Sequence, residues 1–537
     1  MKKILSIFFI LILIPFINGC SSGKSKTENQ ILNYNLPGEP KTLDPQIADD
    51  YSSNIILTNI FEGLTRIDKN ENVIPGVAKS WETNNNNTEF IFHLRKDTFW
   101  SDKNKKPVTA KDFVFAFKRA IDRETQAPKV STLFCIKNAK KINQEKMPIS
   151  ELGVSAIDDF TLKIELEYPN ENFLKVTSTL ITMPCNEEFF NASEGQYGLE
   201  LKTTLGNGPF KLKNKYGWEH FKSISLLKNE GYQGEKLPIS AGVNFSIGKE
   251  LNSPSEALKN GLLDAAQINV NELDFSKKEE MNITSFEDTL WAITFNISNS
   301  VYSKLNIRKA IFASIDRDYT LLKIPTECSA ANNLTLSQLK INGSNFLNSY
   351  GENLYIKESP EFKKFLNSGF EELKIKELPK TSIICLDEPN VRALVSNIIE
   401  KLNKNLNLNF NMTPLSKKEL LSKVGNKDFQ IALFPITFEN ENAIEFFNSF
   451  TTNSKSNIIN LNDTYYDKLI NQAYDSYNTA EINELLSQAE KFLNEKAIIY
   501  PLYKEKRYFA TPKNVSGVTF YKYKKGIDFL EAKKSTK

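Results

Sequence analysis

The strongest constraint on this chain sits at its start. Lys2 and Lys3 precede an uncharged, almost wholly apolar run from Ile4 to Ile17, which ends at Asn18-Gly19-Cys20. A helix needs about 20 apolar residues to cross a hydrocarbon core, and this run is fourteen residues long, Ser6 included. It therefore reads as a secretory signal over residues 1–19, removed after export, rather than as a spanning helix. No second long apolar run follows, so the body is expected to fold in water.

The Gly19-Cys20 step resembles the bacterial lipobox, with Asn18 a slightly unusual choice at its position. That resemblance implies a diacylglyceryl group on the Cys20 sulfur and a site on the cell membrane, anchored by lipid at the extracytoplasmic face. Two acyl chains anchor stably where one does not. An ordinary cleaved signal with an incidental cysteine remains the alternative. Ser21 to Gln30 offer no apolar side chain to bury, so residues 20–30 read as a flexible tether. The remaining chain of about 500 residues is too long for one core, and two or three lobes are expected.

Charge and cysteine usage narrow the function. A formal net charge of +3 on 537 residues, with lysines alternating with acids, gives no electrostatic case for nucleic acid. Cys135, Cys185, Cys328 and Cys385 are scattered, without CxxC spacing or a nearby histidine pair, so metal and thioredoxin readings fail. Each is expected to be a buried free thiol, with one disulfide among them still open outside the cytoplasm.

Periodicity places the elements. Phe90, Phe92 and Leu94 fall on one face of a strand that follows the Asn84–Asn87 turn, and His93 falls on the other. The same alternation at Leu162, Ile164 and Leu166, closed by Pro169, predicts an antiparallel partner. Ala110, Phe113, Val114, Phe117 and Ile121 keep helical spacing, with Thr109 as N-cap and Asp112 placed for a capping box. Two more helical stripes run through Ile307–Ile315 and Ile482–Leu493. The class is mixed α/β. Against an enzyme, the chain has two histidines, His93 and His220, and no GxSxG, HExxH, GxxxxGK[ST] or GxGxxG segment. No catalytic residue, cofactor or metal is expected.

Six segments stand in register along the first part of the body: Gly38–Pro45, Phe61–Leu64, Pro75–Trp81, Phe92–Lys96, Phe99–Asp102 and Pro107–Phe113. Gly206–Leu212, Gly261–Ala266, Asn306–Arg317 and Ile498–Tyr503 continue the series. Their order resembles the oligopeptide-binding family of bacterial extracellular solute-binding proteins, those of peptide and nickel ABC transporters. The resemblance implies a two-lobed, periplasmic-binding-protein-like fold of the class II type, with an extra domain inserted in the N-terminal lobe. Lobe I would take residues 31–60, 204–290 and 499–537, inserted domain II residues 61–203, and lobe III residues 291–498. Arg308, Asp316 and Arg317 are expected to cap and pair helix ends rather than touch solute.

The family buries a peptide between lobes that close by hinge motion, and main-chain pairing supplies affinity without reading sequence. Its peptide ammonium meets an aspartate in a Trp-x-x-Asp segment. Here the resemblance puts Ile436 at the tryptophan and Glu439 at the aspartate, so the carboxylate is kept and the aromatic wall is lost. Phe434, Phe438 or Tyr465 are the expected substitutes in the cleft. The implied partners are a peptide, the permease and ATPase of an ABC importer, and the membrane through the lipid anchor; a monomer is expected. Open alternatives are a non-peptide solute such as a nickel chelate, an opine or an oligosaccharide, a peptide-pheromone signalling receptor, and a hydrolase.

Overall fold

A computed structural model describes residues 30–535 except 171, 325–326, 337–338, 352–354, 439–440, 455, 477 and 523–525. The expected signal, Cys20 and residues 20–29 of the tether thus lie outside the described residues. Among those described, no helix is long and apolar enough to cross a membrane.

The body opens on strand β1 (Ile31–Leu36), which buries Leu32, Tyr34 and Leu36, and on helix α1 (Tyr51–Ile60), capped by the Asp50 carboxylate on the Ser53 N–H. The chain then builds a four-stranded antiparallel sheet from β2 (Ala78–Thr83), β3 (Glu89–Leu94), β4 (Val154–Asp158) and β5 (Thr161–Glu165), in the order β2-β3-β5-β4. The alternation expected at Phe90, Phe92 and Leu94 is observed, and Phe90 pairs with Ile164. Helix α2 (Ala110–Ile121) buries Phe113 and Phe117. Asp112 accepts hydrogen bonds from the Thr109 backbone N–H (2.7 Å) and hydroxyl (2.9 Å), fixing the helix start. The one-turn helix α3 (Ala139–Asn143) follows.

Strands β6 (Phe210–Leu212), β7 (Trp218–Glu219), β8 (Ser223–Lys228) and β9 (Gly242–Ile247) then complete a five-stranded sheet with β1, which lies parallel to β9. The Gly206-Asn207-Gly208 motif explains how the chain returns. A Cβ at Gly206 would stand 2.1 Å from the Ile60 carbonyl oxygen, so only glycine lets the backbone lie against the end of α1. Asn207 locks the approach, accepting from the Glu62 N–H (3.0 Å) and donating to the Glu62 carbonyl (2.9 Å).

The third region carries a seven-stranded sheet. Its strands are β10 (Ala266–Ile268), β11 (Asn282–Phe295), β12 (Ser329–Ala330), β13 (Thr381–Leu386), β14 (Phe410–Leu415), β15 (Ile431–Thr437) and β16 (Ile499–Thr511). Helices α4 (Leu305–Ala313), α5 (Pro389–Leu406), α6 (Ala443–Asn448), α7 (Thr464–Asp475) and α8 (Thr479–Glu495) pack around it. Arg308 on α4 is buried and donates to the carbonyls of Lys496 (2.7 Å) and Tyr302 (2.7 Å), tying α4 to the turn between α8 and β16; burial lowers its guanidinium to about 10. Arg317 donates to the Pro501 carbonyl at 2.6 Å, and Asp316 accepts from the Tyr319 N–H at 3.0 Å. These charges serve the fold, as expected.

Core continuity shows which regions share a core. One apolar cluster runs unbroken from Leu32 and Leu57 in the first lobe to Phe92, Trp100 and Phe113 in the inserted domain. The third lobe has separate clusters around Phe295 and Tyr466. The long strands β11 and β16 pair from Asn282 with Thr511 to Thr294 with Ile499, and so cross from one half to the other. Their register breaks between Glu287 and Thr289. There the Arg507 Nε–H donates to both Asp288 oxygens, at 2.9 and 2.7 Å, and both side chains are buried. Cys135, Cys185 and Cys385 are buried free thiols, and Cys328 is free and half-buried.

Candidate functional site

A cavity of about 800 Å³ lies where the three units face one another. One wall includes Gln46 and Asn54 from the first lobe, Phe61, Glu62 and Arg66 just beyond it in sequence, and Tyr521 and Asp528 from the returning C-terminal segment. The inserted domain contributes Lys129, Ser131, Lys140, Lys141 and Lys175. The third lobe contributes Lys340, Glu441, Glu445, Tyr474 and Asp475.

This wall is an internally neutral network. Glu62 accepts from Arg95 (2.6 Å) and from the Tyr232 hydroxyl (2.5 Å), and it lies 3.6 Å from Arg66. Arg66 also pairs with Asp528, whose other oxygen accepts from the Leu530 N–H at 2.8 Å. Burial and the neighbouring Glu62 charge push the Tyr232 phenol up, so it stays a donor. Two carboxylates and two guanidiniums thus neutralise each other, the condition under which buried charge is tolerated, although the Arg95 Nε is buried without a partner.

The inserted domain and the third lobe meet across the cleft. Glu445, in the first turn of α6, accepts from the Ser131 hydroxyl (2.6 Å) and from the Tyr474 hydroxyl (2.9 Å). Lys140 pairs with Asp475, and Lys175 stands 3.6 Å from Glu441. Lys340 reaches Glu441 from its own lobe at 3.2 Å. Gly343, at φ +91°, brings the third lobe so close to the inserted domain that a Cβ there would stand 3.2 Å from the Asn172 amide nitrogen. These contacts close one side of the cavity with polar groups that can exchange partners for a solute.

The residues singled out from sequence occupy different places. Glu439 lies outside the described residues. Phe434 is half-buried on β15, opposite Ala292, and packs against the third-lobe core. Ile436 is half-buried opposite Leu290. Phe438 is 2 % exposed and stacks on Phe446 at 4.5 Å, so its ring is spent on the core. Tyr465 is 52 % exposed on the first turn of α7, 5.8 Å from the Phe492 ring. None of these four is among the residues lining the cavity. Glu441, two positions beyond Glu439, does line it, as does Glu445. No local pattern marks them, because Ser131 and Glu445 lie 314 positions apart.

The chemistry of the walls suits binding. His93 faces Glu82 at 2.8 Å and His220 faces Glu39 at 2.7 Å, each away from the cavity. Partial burial opposes the charge on His220, but the Glu39 and Glu200 carboxylates prevail and hold it above its ordinary value. Cys135 lines the cavity, with its thiol pushed up to about 12 by burial, far from the thiolate a nucleophile requires. Among the described residues, no cluster of three or more histidine, cysteine or acidic side chains could hold a metal ion.

Comparison with known proteins agrees with this architecture. The family described as "Bacterial extracellular solute-binding proteins, family 5 Middle" matches residues 72–458. The Dipeptide-binding protein DppE of Bacillus subtilis (strain 168) is 27% identical over 487 residues, covering 90% of this chain and 88% of that protein. The substrate-binding domain of an oligopeptide ABC transporter from Bacillus anthracis str. Ames superposes with a TM-score of 0.78 at 26% identity, over 95% of this chain and 99% of that one. The pheromone receptor PrgZ superposes with a TM-score of 0.76 at 23% identity, over 95% of this chain and all (100%) of that one. The fold is the mixed α/β, class II periplasmic-binding type.

Proposed function

This chain belongs to the bacterial extracellular solute-binding proteins of family 5, and from that footing we propose that it captures oligopeptides between its lobes for an ABC importer. Delivery would be to a membrane permease, with the protein held at the extracytoplasmic face by lipid on Cys20. The observation that carries the reading is the cavity of about 800 Å³ bounded by all three units, with acids on the third-lobe wall and lysines facing them. A peptide presents an ammonium, a carboxylate and a polar main chain, and each has a complement there. Because β11 and β16 carry the chain between the halves while the cores stay separate, closure on a solute is a rotation about those strands.

Glu439 keeps its assignment as acceptor for the peptide ammonium, a charge-assisted contact worth about 1.5–3 kcal/mol. Glu439→Gln should weaken peptide binding in calorimetry, and unchanged affinity would remove that role. Of Ile436, Phe434, Phe438 and Tyr465, none of which lines the cavity, the exposed Tyr465 is kept as the candidate for apolar contact with a solute. The reading as a whole is tested by native mass spectrometry of the purified protein and by calorimetry with mixed-sequence peptides. Retained peptides and heat of binding support it; a retained non-peptide solute with no peptide binding defeats it. For the anchor, incorporation of a fatty-acid analogue should vanish in Cys20→Ala.

A second reading is a peptide-pheromone receptor working without a permease, since PrgZ, which shares this fold, is a pheromone receptor. Uptake of labelled peptide by cells carrying the protein separates the two.

A further inference from the structure

The cavity walls differ in sign. The stretch of inserted domain from Lys129 to Lys175 lines the cavity with Lys129, Lys140, Lys141, Lys146 and Lys175 against one acid, Glu167, whose carboxylate already accepts from the Asn138 N–H at 2.9 Å. The third-lobe wall carries Glu441, Glu445 and Asp475 against Lys340. The wall of Glu62, Arg66 and Asp528 is internally paired, as described above. Lys140 and Lys175 are committed across the seam to Asp475 and Glu441. Lys129, Lys141 and Lys146 form no ion pair among the described residues. They leave a surplus of positive charge on one side of the cleft only.

Surplus charge on a flat surface is screened by salt and is worth little. In a concave site with low-dielectric walls the same charges focus the field on whatever enters. We infer that the inserted-domain lysines Lys129, Lys141 and Lys146 select for anionic peptides and orient them, with carboxylates toward the inserted domain and the ammonium toward the acids of the third lobe. The inference rests on the peptide reading and adds a ligand class to it. It also explains how a cleft with roomy walls can discriminate without shape: a basic peptide meets like charge on one side, an acidic one meets compensation, and main-chain contacts are the same for both.

The test is calorimetry with a matched set of pentapeptides, four alanines followed by Glu, Gln or Lys, each as free acid and as amide. Wild type should bind the Glu peptide about tenfold more tightly than the Gln peptide, and the Lys peptide most weakly. Amidation should weaken all three, and the spread should shrink with added salt. In Lys141→Gln/Lys146→Gln every free acid should bind more weakly, the Glu peptide most, so that the advantage of Glu over Gln disappears. Equal affinities across the set in wild type, or an undiminished Glu preference in the double variant, would overturn the inference and leave peptide capture intact. Absence of binding by every peptide would instead remove peptide capture, and the inference with it.

Discussion

The pair Asp288–Arg507 gives the sharpest test of how the two halves are joined. It sits where β11 and β16 lose register, and its side chains are 1 % and 9 % exposed. Replacing Asp288 with Asn keeps the volume and removes the charge, which leaves a buried guanidinium that cannot deprotonate. Removing one partner of a buried pair costs about 3–5 kcal/mol. Asn can still accept one of the three hydrogen bonds that Arg507 makes, so the expected loss lies near the lower end, about 3 kcal/mol. Arg507→Gln should cost less, because a stranded carboxyl can escape by taking up a proton. The double variant Asp288→Asn/Arg507→Gln should recover most of the loss, since two neutral amides can pair without buried charge. Urea unfolding followed by fluorescence would measure all three variants. A loss below about 1 kcal/mol for Asp288→Asn, within the range of exposed pairs, would refute the reasoning. So would strictly additive single losses in the double variant.

Glu490 on α8 is fully buried and accepts from the Leu334 N–H (2.7 Å) and the Asn348 amide (2.5 Å), and burial raises its carboxyl to about 7. The folded state therefore holds a proton that the unfolded chain releases near its ordinary value. This contribution is intact below that value and is lost as pH rises toward about 7, a fall of about 3 kcal/mol. Glu490→Gln should flatten that slope in unfolding measured from pH 4 to 8, and an unchanged slope would deny it. Lys140→Met/Lys175→Met removes two seam pairs with partly exposed lysines, each worth at most about 1 kcal/mol. Small-angle scattering should show a larger radius of gyration for this variant without solute, and an identical curve would remove the seam from closure. Cys135 is 3 % exposed with its thiol near 12; it should resist alkylation at pH 8 until the protein is unfolded, and prompt labelling would contradict its burial.

The elements legible in the chain are those whose signal is local. Phe90, Phe92 and Leu94 alternate because a strand turns its side chains over every second residue, and Thr109 with Asp112 marks a helix start within a single turn. Both could be read without knowing what packs against them. Gly206-Asn207-Gly208 identified the family, but its reason, the approach to the Ile60 carbonyl, appeared only in three dimensions. The cleft was less legible for the same cause. Phe438 and Tyr465 are both aromatic residues in the third lobe, yet one is buried on Phe446 and the other stands in solvent. Which becomes core depends on neighbours the local pattern does not contain. Lys140 meets Asp475 across 335 positions and Asp288 meets Arg507 across 219. A side chain's charge is written in its residue type, but the charge it faces is set by how the chain folds back on itself.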